Sequence, residues 1–442
     1  MRIIYALLLA ARLTLAADPL QLSLKRAVEV AVSPEGNAHI QLAGEALKQA
    51  QARSLESRAA LLPNVDAAFS DQSRTENLQA QGFNSRIFSS IPIPNFSFPA
   101  FVGPFTTVDA RVTGSQSVFD FSTIRRYQAS KVGVSAARSD VDATQEQVAG
   151  QVARAYLAAA KGDADVEAAQ ADVTLSEAVL KQSENQKEAG TGTGIEITRA
   201  KVQLANDRQR LLVAQNARHS SYLQLLRAMS LRLDTEIALT DKLQYVPVDA
   251  VTLDAAKSQA LKERPDLKAQ QEREANARLS ASATRLERMP AVAAFGDYGS
   301  SGTALNNSVP TRTVGLQVRV PLFDGGRRDA RREESESQYR EETVRTNDLK
   351  AQVELDVRLA LDGLQSADEQ VRVAREGLEL ANNELTQARR RYDAGVATGV
   401  EVTDAQTRLE RARDNQTAAL YNYNLARLDL AQAMGRVRSA VQ

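Results

Sequence analysis

The chain is written twice, and that constrains its fold more than any other feature. "KEAGTGTGIEITRAK" at residues 187–201 and "YDAGVATGVEVTDAQ" at 392–406 share Ala, Gly, Thr, Gly, Glu, Thr and Ala at the same spacing. The offset of 205 set by Gly190 and Gly395 continues without a gap through Leu204/Leu409, Arg208/Arg413, Leu223/Leu428 and Leu225/Leu430. It still holds at "AMS" (228–230) over "AMG" (433–435), and upstream at Gln147, Val148 and Val152 over Gln352, Val353 and Val357. At an offset of 204, Phe119-Asp120 falls on Phe323-Asp324, and Pro63 before "NVDAAF" answers Pro290 before "AVAAF". A period this long is duplication of a whole unit of roughly 200 residues, not a short-repeat solenoid.

Each unit has a β part and a helical part. In "TVGLQVRVPLF", Val314, Leu316, Val318 and Val320 alternate with Thr313, Gly315, Gln317 and Arg319. In the first unit Val108, Ala110, Val112 and Val118 oppose Asp109, Arg111, Thr113 and Ser117. Period-two alternation predicts strands with one apolar and one polar face. A partner strand precedes each, near 65–72 and 291–298. The first pair is joined by the Pro- and Phe-rich "IFSSIPIPNFSFPAFVGPF", the second by the shorter "SSGTALNNSVPTR". Four strands per chain are too few to close a barrel and leave edges that need covering.

The helical parts are heptads. Val353, Val357, Ala360, Leu364, Ala367, Val371, Ala374, Leu378, Ala381, Leu385, Ala388 and Tyr392 advance in steps of four and three. After the Gly turn, Val402, Ala405, Leu409, Ala412, Gln416, Ala419, Tyr423, Ala426, Leu430 and Ala433 keep the rhythm. Residues 148–187 and 197–228 repeat it with more polar seams (Asp207, Arg218, Ser221). Sustained three-four spacing predicts coiled coil, and the small Ala positions let neighbouring helices approach closely. At about 1.5 Å per residue, the stretch 327–392 makes a helix roughly 100 Å long.

The Gly motif links the arms of each hairpin. Gly190 and Gly395 supply the positive φ that stops one helix. Thr193 and Thr398 stand three residues before Glu196 and Glu401, the spacing of a capping box that opens the next helix. "GTGTG" lacks the Lys-Ser/Thr ending of a phosphate-binding loop and follows a helix rather than a strand.

Composition excludes most chemistry. There is no Cys, Trp is absent, and His39 and His219 are the only histidines. Lys plus Arg and Asp plus Glu both number 55, which gives no general affinity for nucleic acid. No Ser/His/Asp set, metal cluster or nucleotide loop suggests an enzyme, and no cofactor or metal site is expected. The start, "MRIIYALLLAARLTLAADPL", reads as a secretory signal peptide cut near Ala16 or Ala17, interrupted by Arg12. The alternative is a buried N-terminal helix. Nothing later reaches the roughly 18–20 apolar residues of a membrane-spanning helix, so a membrane location requires strands. If three chains pooled their strands, twelve would close a barrel with apolar faces outward, and the hairpins would extend it.

Several segments resemble the TolC family of bacterial outer-membrane efflux proteins, over nearly the whole mature length. They are "LSLKRAVEVAV" (22–32), "SRAALLPNV" (57–65), "SQSVFDF" (115–121), "LKERPDLKAQ" (261–270), "VRVPLFDGGRRDAR" (318–331), "RYDAGVATGVEVTDAQTRL" and "YNYNLARLDLAQAMG" (421–435). The resemblance implies a mixed α/β membrane protein, internally duplicated, with four amphipathic strands and long coiled-coil hairpins per chain. Its homotrimer would form a 12-stranded β-barrel in the outer membrane, continued by a periplasmic α-helical barrel. The boundaries expected are a signal peptide over 1–17, an N-terminal helix and linker over 18–62, and barrel strands over 63–121 and 289–324. Hairpins would occupy 122–232 and 325–435, with a mixed equatorial belt over 233–262, a helix over 263–288 and a tail over 436–442. The function implied is a passive exit duct that serves an inner-membrane transporter through a periplasmic adaptor (a membrane fusion protein). An adaptor or a structural coiled-coil protein is the alternative. Family roles map onto matching positions. The adaptor-docking tips are Ala189, Gly190, Thr191, Ala394, Gly395 and Val396, with Ala189 and Ala394 standing where Val is usual. Glu401 and Asp404 match an acidic pore constriction. Tyr392 and Glu196 match a pair that holds neighbouring hairpins closed, while Ala397 stands where that gate can carry Arg. Each has a plainer reading: Glu401 is a helix cap, Asp404 suits the helix dipole, and Tyr392 continues the seam. Asp404 has no acidic counterpart in the first repeat, where Arg199 stands, so the second tip is the one expected to face the pore.

Overall fold

A computed structural model describes residues 20–82, 100–248 and 251–441. The expected signal peptide, and residues 83–99 of the Pro/Phe-rich connection, lie outside the described residues. The chain divides into two compact units. One comprises Leu47–Ala137 and Gln270–Thr346, and the other Met1–Ala46, Arg138–Ala269 and Asn347–Gln442.

The first of these holds the β part. Strands β2 (Asn64–Asn77), β3 (Phe101–Phe119), β5 (Ala291–Gly302) and β6 (Ser308–Arg319) form one antiparallel sheet in that order. The pairings Val65↔Gly114, Gly114↔Gly296 and Gly296↔Val314 put the alternating apolar residues of all four strands on one face. On that face Phe69, Tyr298, Val314 and Leu316 are largely exposed, Val314 at 87%. On the opposite face Arg111 donates to Asp109 at 2.6 Å and to Asp297 at 3.0 Å. Two details escape simple alternation. Val118 falls in a register shift between Ser117 and Phe119, which places Phe119, not Val118, opposite Val292. Phe295 lies on the polar face, where a Cβ on Gly315 would come within 2.7 Å of its ring. β2 and β6 are the outer strands, and each leaves one edge unpaired among the described residues.

Both strand exits turn into helices through an aspartate. α3 (Phe121–Glu188) follows Asp120, whose carboxylate accepts from Thr123 N–H at 3.1 Å and the Thr123 hydroxyl at 2.7 Å. α7 (Arg327–Asp393) follows Asp324, which accepts from Arg328 N–H at 3.2 Å. The offset-204 pair in the sequence is thus a pair of helix starts. In the same unit α6 (Pro265–Leu286) is tied to α3 by Asn276 Nδ2 donating to the Ala129 carbonyl at 2.6 Å, and to α7 by Gln270 donating to Glu342 at 2.7 Å.

The second unit holds most of both hairpins, α3 from Arg138 onward with α4 (Gly194–Ala228) and α7 from Asn347 onward with α8 (Gly399–Ala433). The predicted seam is the core. Val353, Val357, Val402, Ala405, Leu409 and Tyr423 are all at most 2% exposed. Where the sequence suggests one helix and a linker over 18–62, the chain forms β1 (Leu20–Leu22), α1 (Leu24–Val32) and α2 (Ala38–Ala59). β1 pairs in parallel with β4 (Ile237–Leu239), adding two short strands to the four expected. Such three-residue strands are too short for periodicity to announce. Buried Tyr156 fixes this pair by donating to the Leu22 carbonyl at 2.9 Å, and burial pushes its hydroxyl up to about 12. Across 240–248, Tyr245 donates to Asp368 at 2.7 Å and stacks on Tyr423, whose hydroxyl donates to the Val246 carbonyl at 2.8 Å. Within the expected belt α5 (Leu253–Glu263) packs Ala256 and Ala260 against Val353, Val357 and Met434. The expected tail contains the short helix α9 (Val437–Ala440).

The two hairpins end alike but not identically. α4 closes on Ser230 at φ 57° and α8 on Gly435 at φ 73°, each with the same pair of carbonyl contacts. Left-handed backbone costs a residue with a Cβ about 1–2 kcal/mol. Ser230→Gly is therefore expected to raise stability by about 1 kcal/mol. Gly435→Ser is expected to cost more than that backbone penalty, because its Cβ would meet Arg264 Cα at 2.8 Å. Thermal unfolding in detergent of the two variants checks this opposite response.

Candidate functional site

The tips are assembled from backbone first. At the first, Gly190 adopts φ 80° and Gly190 N–H donates to the Lys187 carbonyl, while Thr191 N–H reaches back to Gln186 at 2.9 Å. At the second, Gly395 adopts φ 71°, Gly395 N–H donates to the Tyr392 carbonyl, and Val396 N–H reaches Arg391 at 3.0 Å. Both are Schellman closures, satisfying carbonyls that a helix end leaves free. Ala189, Gly190, Thr191, Ala394, Gly395 and Val396 are all exposed. The six residues expected to dock an adaptor therefore stand accessible.

The predicted capping boxes diverge. Thr193 and Thr398 both take the extended backbone of an N-cap. Glu196 turns back and accepts from Thr193 N–H at 2.9 Å. Glu401 does not: its carboxylate is held by Arg391 Nε at 3.1 Å. The cause is a difference between the repeats, because the first tip has Gln186 where the second has Arg391. A guanidinium one turn before the Gly outcompetes a backbone N–H for the carboxylate. The capping explanation of Glu401 thus fails at the second tip, and Arg391 is the partner that the spacing rule missed. Reading the repeat mates of the residues before each Gly would have revealed it.

Tyr392 and Glu196, predicted as a pair, come together from different hairpins. A Cβ on Gly399 would lie 3.6 Å from Glu196 Oε1 and 3.8 Å from the Tyr392 ring, so both side chains flank that glycine. Tyr392 is 5% exposed and joins Val179, Leu385, Val402 and Leu409 in one core. Burial pushes its hydroxyl above the ordinary phenol range, and the Glu196 and Asp393 carboxylates add to this. That hydroxyl has no hydrogen-bond partner among the described residues, and Ser183 nearby donates instead to the Val179 carbonyl at 3.0 Å. Gln182 donates to Asp393, a further bond between the ends of α3 and α7. Asp404, one turn along α8 from Glu401, is exposed.

The family model described as "Outer membrane efflux protein" matches residues 34–230 and 256–436, most of both repeats. The chain belongs to the outer membrane efflux protein family. It resembles the pyoverdine export outer membrane protein OpmQ of Pseudomonas putida at 26% identity over 421 residues, covering 93% of this chain and 85% of that protein. It is 24% identical over 343 residues to the outer membrane protein TolC of Vibrio cholerae, covering 74% of this chain and 76% of the other. Among solved structures, the outer membrane protein VceC of Vibrio cholerae aligns with a TM-score of 0.78 at 18% identity, over 93% of this chain and 96% of that one. The Campylobacter jejuni CmeC outer membrane channel aligns with a TM-score of 0.78 at 17% identity, over 93% and 85%. These structural likenesses establish the fold. The efflux-family chain is an outer-membrane protein that extends into the periplasm, a transport channel rather than an enzyme. Family membership also goes against the adaptor alternative.

A buried hydroxyl without a partner contributes nothing by hydrogen bonding, so its removal is close to neutral. Tyr392→Phe is expected to leave stability in detergent within about 1 kcal/mol of the parent. A loss of 2 kcal/mol or more in thermal unfolding would mean that the assembled protein supplies the hydroxyl with a partner.

Proposed function

We propose that three copies of this chain form a passive exit duct across the outer membrane, with the hairpin tips forming its periplasmic entrance. The observation that carries this reading is the sheet, whose apolar face is exposed and whose outer strands β2 and β6 each lack a second neighbour among the described residues. One chain cannot cover that surface, whereas twelve strands from three chains close a barrel that removes every edge. The apolar residues then face lipid, and Arg111, Asp109 and Asp297 face a polar lumen. Docking to a periplasmic adaptor and an inner-membrane transporter is assigned to the exposed tips at 189–191 and 394–396. Cargo choice is assigned to the transporter.

The constriction is assigned to Glu401 and Asp404 of the second tip, six carboxylates per trimer. They differ in weight. Arg391 offsets the charge of Glu401, while Asp404 has no cation bound to it among the described residues. In planar bilayers the protein is expected to conduct with cation selectivity. Asp404→Ala should weaken that selectivity more than Glu401→Ala, and Arg391→Gln should strengthen it. Equal and negligible effects of all three would remove the acidic constriction from the second tip. No conductance at all from correctly assembled protein would overturn the duct.

A further inference from the structure

Above the tips, three helices bring a buried charge cluster together that neither repeat contains alone. Asp172 of α3, Asp207 of α4 and Glu410 of α8 are 3%, 1% and 7% exposed. Two arginines face them. Arg413 of α8 donates to Asp172 at 2.6 Å, and Arg210 of α4 donates to Glu410 at 2.5 Å. Arg210 also lies 4.0 Å from both Asp172 and Asp207, and reaches Asp414 on the exposed side at 3.2 Å. Gln203 of α4 donates to Asp207 at 3.1 Å and to Glu410 at 3.2 Å, and Ser176 donates to Asp207. The ionisable neighbours of Glu410 are therefore Asp207 and Arg210 from α4 and Asp172 from α3, with Arg413 and Asp414 of its own helix bonded to Asp172 and Arg210.

The count does not balance. With every group ionised, three buried carboxylates share two guanidinium groups, and an unmatched buried charge is costly. With solvent-facing Asp414 set aside, a single proton on Glu410 leaves two buried carboxylates against two guanidinium groups, and its unprotonated oxygen still accepts a hydrogen bond from α4. The bonds in question join α4 to α8, helices of two different hairpins, just above the core that unites both tips. We propose that this cluster is a proton-operated interlock: protonated Glu410 keeps α4 clasped to α8, and ionised Glu410 releases the two hairpins from each other.

The direction follows from linkage. Burial first, then the Asp207 carboxylate, push Glu410 from 4.5 up to about 7, against the opposing pull of Arg210. Burial likewise raises Asp172 despite Arg413 and Arg210. A carboxyl that holds its proton more tightly when clasped stabilises the clasp below pH 4.5, and that stabilisation drains away as pH rises to about 7. If release restores an ordinary carboxyl, the clasped-to-released ratio falls by about two orders of magnitude across that interval. In the duct proposed above, the interlock would couple the freedom of the tips to periplasmic pH.

The chain has no Cys, so Thr191→Cys and Val396→Cys place one spin label on each tip of the full-length protein. Labelled chains diluted with unlabelled ones before assembly report the distance within one chain by pulsed EPR. Between pH 5 and 8.5 the short-distance population is expected to fall, with a midpoint at or just below pH 7. In the Glu410→Gln background it should stay high throughout. A parent that shows no change over this range, or a Glu410→Gln protein that changes as the parent does, overturns the interlock. Bilayer conductance measured in parallel separates the two proposals. Distances that respond while no conductance appears would leave the interlock standing and remove the duct.

Discussion

Everything in this structure answers to a sheet that one chain cannot finish. Four strands give an apolar face with Val314, Leu316 and Phe69 open to the surroundings, and two outer edges left unpaired among the described residues. Alternation along each strand fixes which face is apolar, because a one-residue slip would exchange the faces entirely. Such a surface favours lipid over water, and its edges favour pairing with further strands. Duplication follows the same logic. Each repeat supplies two strands and one hairpin, so every pair of strands arrives with its own helical extension.

The helical unit is held by a different economy of means. Seam positions rich in Ala and Val allow close helix approach, and few large side chains are needed. What makes the halves unequal is polar. Arg391 replaces Gln186 and draws Glu401 away from the cap. Gly435 replaces Ser230 where Arg264 comes close. Asp207 and Glu410 meet between hairpins although neither has an acidic mate in the other repeat: Asp207 lies over Ala412, and Glu410 over Ala205. The duplicated apolar pattern gives the scaffold, and the departures from duplication give each tip its chemistry.

Legibility in the sequence tracked the range of the interaction. Strands at 64–77, 101–119, 291–302 and 308–319 were readable because alternation is local, and α7 because its heptads run unbroken. The turns at Gly190 and Gly395 were readable because a positive φ after a helix leaves a local signature. The exchange of a capping bond for an ion pair at Glu401 was not, since it depends on which of two donors the side chain reaches. The pairing of β1 with β4 was hidden by three-residue strands far apart in the chain. The cluster around Glu410 was hidden for the same reason. Asp207 could be read as a polar seam position, but its neighbours come from three helices whose registry no spacing rule reports.

The proposed duct requires two further copies of the chain to complete the sheet. Native mass spectrometry of the full chain, released from detergent micelles, tests this most directly. A homogeneous species at three times the mass of the mature chain is the predicted result. A monomer that remains soluble and folded after the detergent is removed would contradict it.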